Sequence, residues 1–143
     1  MSGTEKPLPP MTAETRPFWD GCRAGELRYQ YCRACDRVQF YPRSICARCG
    51  RSALEWRRSN GTGTVYAFTV VYRPPSAAFA ADVPYAIALV DLDEGFRMMT
   101  NVIDCDPEAV AIGDRVRVVF ERRADTVLPH FTPVHPHTPK ERG

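Results

Sequence analysis

Four cysteines are the residues of this sequence best placed to do chemistry. They stand as two C-x-x-C pairs, Cys32-Arg33-Ala34-Cys35 and Cys46-Ala47-Arg48-Cys49, with ten residues between the pairs. A C-x-x-C turn sets two thiolates on one side of an ion and leaves backbone N–H groups free to stabilise their charge; zinc takes four such ligands as a tetrahedron. Cys32, Cys35, Cys46 and Cys49 are therefore expected to hold one structural zinc ion. With all four ligands supplied by protein, no position remains for water or substrate, which argues against Lewis-acid chemistry.

The other reactive side chains make no comparable pattern. Cys22 and Cys105 read as ordinary small apolar residues. His130, His135 and His137 share a Pro-rich C-terminal stretch and read as surface histidines, with a second metal site as the alternative. No G-x-S-x-G elbow, P-loop or H-E-x-x-H occurs, and the carboxylates cluster in turns, where solvated charge is the default. The chain on its own is not expected to be an enzyme.

The elements that must position the cysteines follow from the residues around them. Residues 1–11 are rich in Pro, Gly and polar types and read as a mobile arm. A short helix follows: Pro17 suits its first turn, Phe18, Trp19 and Cys22 share a face, and Gly25 fits the C-terminal cap. Arm and helix together make residues 1–26. From 27 to 60 the short extended stretches LRYQY, RVQFYP and LEWRR alternate with the two knuckles, giving a rubredoxin-like zinc ribbon. Asn60-Gly61 marks the boundary. Five β-type runs then fill 61–135: Thr64 to Tyr72, Tyr85 to Leu92, Phe96 to Ile103, Arg115 to Glu121 and Thr126 to Val134. A tight hairpin at Asp93-Glu94-Gly95 and a helical turn between the third and fourth runs give the order of an OB-fold barrel. The fold class is thus mainly β, and residues 136–143 read as a frayed tail. Pro129 and Pro133 require the last strand to lie at an edge or be irregular.

Composition bounds the setting. The 143 residues are 44% hydrophobic and 25% charged, and no apolar run approaches a membrane span of about 20 residues. The N-terminus shows no signal-peptide pattern, so a cytoplasmic location is expected, and a reducing compartment favours metal over disulfides. Residues 1–60 carry 11 Lys and Arg against 6 Asp and Glu, while the remainder carries 8 against 11. The first two barrel strands are apolar on both faces, with Tyr66, Phe68, Val70 and Tyr72 alternating with Val65, Ala67 and Val71. A small barrel fills only its inside, so the ribbon, the helix or a partner must cover the rest. The loop from Arg73 to Pro84 is apolar too, and either folds onto its own barrel or docks elsewhere.

The P-F-W-D-G helix, the ribbon read as L-x-x-Q-x-C-x-x-C, Y-P-R and C-x-x-C-G, then G-x-G-x-V-Y-x-F-T-V-V, D-V-P-Y-A-I-A-L-V and I-G-D-R-V-R-V-V-F, together resemble the zinc-ribbon/OB-fold family called domain of unknown function thirty-five, acyl-CoA-associated. The resemblance covers about residues 14–134. It implies a zinc-binding accessory subunit of thiolase-superfamily enzymes (thiolases, acyltransferases or acyl-CoA retro-aldolases), with the catalytic groups on the partner and acyl-CoA at a shared site. Tyr72, Arg73, Phe79, Tyr85 and Asn101 are the candidate acyl-CoA or partner contacts it suggests, and each also fits simple packing.

A single-stranded nucleic-acid-binding OB-fold is the alternative function, since such barrels stack bases over a basic groove. Here the second and third barrel strands offer one basic residue, Arg97, and acidic flanks at Asp91, Asp93, Glu94, Asp104 and Asp106. Those carboxylates repel phosphate, and nucleic acid is not the expected partner.

Overall fold

The computed structural model describes residues 12–73, 77, 83–123 and 126–134. Helix α1, Arg16–Arg23, carries Pro17 in its first turn and buries Phe18, Gly21 and Cys22. It ends as the sequence requires. Gly25 takes φ +78°, and the N–H groups of Gly25 and Glu26 bond the carbonyls of Cys22 (3.0 Å) and Gly21 (2.7 Å), so two orphan carbonyls are satisfied.

Three antiparallel strands form the ribbon sheet: β1 (Arg28–Cys32) lies between β2 (Arg37–Gln39) and β3 (Leu54–Arg58). After the three-residue link 59–61 come β4 (Thr62–Val71), β5 (Tyr85–Leu92), β6 (Arg97–Val102), β7 (Arg115–Arg123) and β8 (Thr126–Pro133). They close a five-stranded barrel in the order β4-β5-β6-β8-β7. Between β6 and β7 the Asp106 carboxylate accepts the Glu108 N–H (3.0 Å) and starts a single 3-10 turn, Pro107–Ala109. The architecture is mainly β, with an N-terminal helix, a zinc-ribbon region and an OB barrel. Among the described residues no helix is long and apolar enough to cross a membrane.

Two details differ from simple strand alternation. A bulge between Val65 and Ala67 shifts the register of β4 against β5. Val65 points into the core, Tyr66 points out with the Arg97 guanidinium 3.6 Å above its ring, and Ala67, Thr69 and Val71 then face outward opposite Leu89, Ile87 and Tyr85. Ala67 and Val71 therefore share the outer face with Tyr66. The second detail concerns β8, which lies within a closed barrel rather than at a free edge. It pairs with β7 along its length but with β6 only at Val102↔Phe131, where the Ile103 N–H bonds the Phe131 carbonyl (2.8 Å). Pro129 and Pro133 have the parity of Phe131, so their missing N–H groups fall on this sparsely bonded seam, where no ladder needs them.

One core joins ribbon, helix and barrel. Phe96, just before β6, stacks on Tyr29 of β1 with centroids 4.8 Å apart and on Phe40 at 5.7 Å; Phe40 in turn meets Phe18 of α1 edge-on at 5.3 Å. Beside the β5–β6 hairpin, β4 and β5 approach closely at Gly63, where an added Cβ would stand 2.5 Å from the Asp91 carbonyl oxygen. Gly63→Ala is therefore expected to strain the barrel by about 1–3 kcal/mol, read as a lower urea midpoint with an unchanged m-value.

Candidate zinc centre and the adjoining groove

The ribbon builds two matching knuckles. In the first, Cys32 ends β1, the Asp36 N–H bonds the Cys32 carbonyl at 2.8 Å, and Asp36 takes φ +60°. In the second, the Gly50 N–H bonds the Cys46 carbonyl at 2.9 Å and Gly50 takes φ +75°. Each pair is thus wound by the same i to i+4 bond and unwound by a left-handed residue just after its second cysteine. Asp36 tolerates that conformation through its short polar side chain, whose carboxylate accepts the Tyr31 hydroxyl.

All four sulfurs lie within 4.8 Å of one another, Cys32 Sγ 3.6 Å from Cys49 Sγ and Cys35 Sγ 3.7 Å from Cys46 Sγ. A tetrahedron with zinc–sulfur bonds of about 2.3 Å has edges of about 3.8 Å, so two cross-knuckle edges already match it, while a disulfide at about 2.05 Å is excluded. The electrostatics agree. The N–H groups of Cys49 and Arg48 point at Cys46 Sγ (3.5 and 3.3 Å) and lower its pKa to about 6, whereas burial and the neighbouring thiols push Cys35 up to about 12. Four clustered thiols cannot all ionise unaided, and a dication at their centre removes that conflict. The donor set can bind one zinc ion. Cys22 stays outside it: burial pushes its thiol to about 12 and leaves it inert.

A groove of about 910 Å³ opens where β6 and β8 diverge, between α1 and the chain just after β2. Trp19, Tyr41, Ile87, Met98, Leu128 and His130 are among its walls. Of the candidate ligand contacts, Tyr85 and Asn101 line it. Tyr72 does not: it is exposed, and its hydroxyl donates to the Glu108 carboxylate, which raises its pKa. Arg73 is exposed, and Phe79 lies outside the described residues.

His130 departs from the surface reading. It is 8% exposed, beneath α1 on the outer face of β8, with Nε2 2.5 Å from the Glu121 carboxylate of β7. Its Nδ1 is buried without a hydrogen-bond partner among the described residues. His135 and His137 lie outside the described residues. The one advance signal for His130 was its place in an apolar run, Val127 to Phe131, and the neighbouring prolines masked that signal.

Residues 19–55 match the family model described as the ChsH2 rubredoxin-like zinc ribbon domain, and residues 56–121 match the ChsH2 C-terminal OB-fold domain. Over 92 residues the chain is 37% identical to a DUF35 domain-containing scaffold protein of Methanothermobacter thermautotrophicus, covering 64% of this chain and 68% of that protein. The chain belongs to the DUF35 family. This DUF35 chain is also 32% identical over 132 residues to a probable enoyl-CoA hydratase alpha subunit of Thermomonospora curvata, covering 92% of the chain but only 41% of that protein's length. Among solved structures, the DUF35 fold superposes on a chain of the Ltp2-ChsH2(DUF35) aldolase with a TM-score of 0.80 and 30% identity, over 90% of this chain and all of that one. The zinc-ribbon match contains all four cysteines, and the barrel match stops at Glu121, before β8.

Proposed function

We propose that this DUF35 chain is a zinc-binding accessory subunit without an active site of its own. In this reading it assembles in the cytoplasm with a thiolase-superfamily enzyme (a thiolase, an acyltransferase or an acyl-CoA retro-aldolase) and helps hold the acyl-CoA on which its partner acts. The ribbon (27–60) and barrel (61–135) serve as a rigid platform, with zinc bound by Cys32, Cys35, Cys46 and Cys49 holding the ribbon's shape.

The observation that carries the reading is the outer face of β4, β5 and β6. Register sets Ala67, Leu89 and Met99 in one row, Thr69, Ile87 and Asn101 in the next and pairs Val71 with Tyr85 on this face, making a mainly apolar surface flanked by Tyr66. Its Tyr85, Ile87 and Asn101 end borders the groove beside α1, while Met99 is 67% exposed. A sheet face of this composition is what a partner buries. The relatives support a partner that processes acyl-CoA, since one is by its name an enoyl-CoA hydratase subunit and another is a chain of an aldolase. The nucleic-acid reading fares worse. Arg97, the basic residue of this face, is committed to Asp91 (2.6 Å) and to the Tyr66 ring, so among the described residues the face presents no free cation to a phosphate backbone.

The test is co-purification of the tagged chain from its native cells, with the companion identified by mass spectrometry. A stoichiometric thiolase-superfamily protein is expected. Met99→Asp places a charge at a strongly exposed apolar position of the face and should weaken that assembly at least about tenfold, with zinc content and circular dichroism unchanged. A thiolase-type companion whose affinity ignores Met99→Asp would remove this face as the interface; the absence of any such companion would remove the accessory-subunit reading.

A further inference from the structure

The four clustered cysteines differ in their surroundings. Cys32 and Cys46 are buried, Cys35 is half-buried and Cys49 is exposed. Backbone donors are shared as unevenly. Cys46 Sγ accepts the N–H groups of Arg48 (3.3 Å) and Cys49 (3.5 Å), and among the described residues no other sulfur of the cluster accepts a backbone N–H. A hydrogen bond to a thiolate draws charge from the sulfur and blunts it as a nucleophile, so Cys46 is shielded both by burial and by donors. Cys49 has neither protection. A thiolate that serves as a zinc ligand is ionised at neutral pH, which is the form that attacks an electrophile.

The charge around Cys49 favours such an attack. From Arg37 to Arg51 the chain carries four arginines and no Asp or Glu. Arg48 and Arg51 stand on either side of Cys49 in that run; both are exposed, and neither pairs with a carboxylate among the described residues. Their field stabilises an anion expelled from the sulfur's reaction partner. A second thiolate is within reach. Cys32 Sγ is 3.6 Å from Cys49 Sγ, whereas Cys46, the partner within the same knuckle, has its sulfur engaged by two N–H groups.

We propose that Cys49 is a site of reversible oxidation by hydrogen peroxide, and that its oxidation joins Cys49 to Cys32 across the two knuckles. Cys49 Sγ attacks one peroxide oxygen; the O–O bond breaks, and its electron pair leaves with the other oxygen as hydroxide. The Cys32 thiolate then attacks the sulfur of the Cys49 sulfenic acid, so that an S–S bond forms, the S–O bond breaks and a second hydroxide leaves. The two thiolates give up two electrons, the peroxide takes them, and two protons from solvent complete two water molecules. With two of its four ligands joined, the cluster no longer holds a metal ion, yet the knuckles stay tied and reduction restores the set. The proposal rests on the reading that the four cysteines bind zinc.

The test uses the full chain with its zinc content measured by elemental analysis, treated with hydrogen peroxide. Zinc release is followed with a chromogenic chelator, and thiols are mapped by alkylation and mass spectrometry. Zinc should leave in step with two thiols, the peptide containing Cys32 should be found joined to that containing Cys49, and dithiothreitol with added zinc should restore the starting content. Dimedone, which traps sulfenic acids, should label Cys49 before any other cysteine. Cys49→His keeps a zinc ligand without the thiolate and should slow the release at least about tenfold. First labelling of another cysteine, a disulfide between another pair, or release from Cys49→His at the native rate would each overturn the proposal. Should Cys49→His fail to bind zinc, the dimedone label on the native chain decides. A chain that holds one equivalent of zinc and keeps it under peroxide removes this proposal and leaves the zinc reading standing; one that holds no zinc from the outset removes both.

Discussion

Cys35→Ser should yield a chain that retains almost no zinc and has lost its ribbon. Serine's hydroxyl does not ionise near neutral pH, so the substitution leaves three ligands and opens a tetrahedron whose cross-knuckle sulfurs are set 3.6 and 3.7 Å apart. The ribbon has little else to fall back on. Its sheet is three short strands, β2 only three residues long, and the tip between the knuckles is largely exposed. Structural zinc contributes on the order of 10–16 kcal/mol to comparable small folds, which matches or exceeds the whole stability of an ordinary domain, roughly 5–15 kcal/mol. Elemental analysis should therefore find close to no zinc in Cys35→Ser and one equivalent in Cys105→Ser, a control whose thiol lies outside the cluster. A full equivalent in Cys35→Ser would show that the remaining three thiolates suffice.

The cysteine spacing made this centre legible before any coordinates, because a C-x-x-C turn dictates its own geometry and needs no distant residue. The strands were legible for a related reason: β5 runs from Tyr85 to Leu92 as its alternation of small buried and larger outer residues requires. What local pattern could not reveal was register. The bulge at Tyr66 adds one residue to β4 without any glycine to announce it, and so turns Ala67 and Val71 to the outer face. The place of β8 depended on which side of the strand its prolines turn, a matter settled by the single pairing of Val102 with Phe131. The burial of His130 is hidden from local pattern for the same reason. Its burial is conferred by α1, more than a hundred residues earlier, and its partner Glu121 reaches it diagonally across the β7–β8 pairing, a relation that sequence distance does not encode. The groove belongs to this class as well, since its walls come from six separated segments.

Phe96→Ala should cost about 3–5 kcal/mol and should also change how the molecule unfolds. Phe96 is buried, and its ring lies between Tyr29 and Phe40, near-parallel to Phe40 with an interplanar angle of 6° and inclined 23° to Tyr29. Those two aromatics belong to the ribbon, while Phe96 itself belongs to the barrel's β5–β6 hairpin, so this side chain joins the two units within their shared core. Removing it forfeits transfer energy, leaves a cavity and breaks two ring–ring contacts at once. The second effect follows from the first. While the shared core is intact, chelating the zinc should destabilise ribbon and barrel together, giving one transition by near-ultraviolet and far-ultraviolet dichroism alike. In Phe96→Ala the same chelation should melt the ribbon and leave the barrel's transition nearly where it was, because the link that passed the loss across is gone. The coupling is measurable as a non-additive free energy between zinc removal and the substitution. Additive effects would mean that the ribbon is held to the barrel elsewhere, as through α1, which packs on both β1 and β8, or the bonds from Ser59 Oγ and the Asn60 N–H to the Glu94 carboxylate, both 2.7 Å.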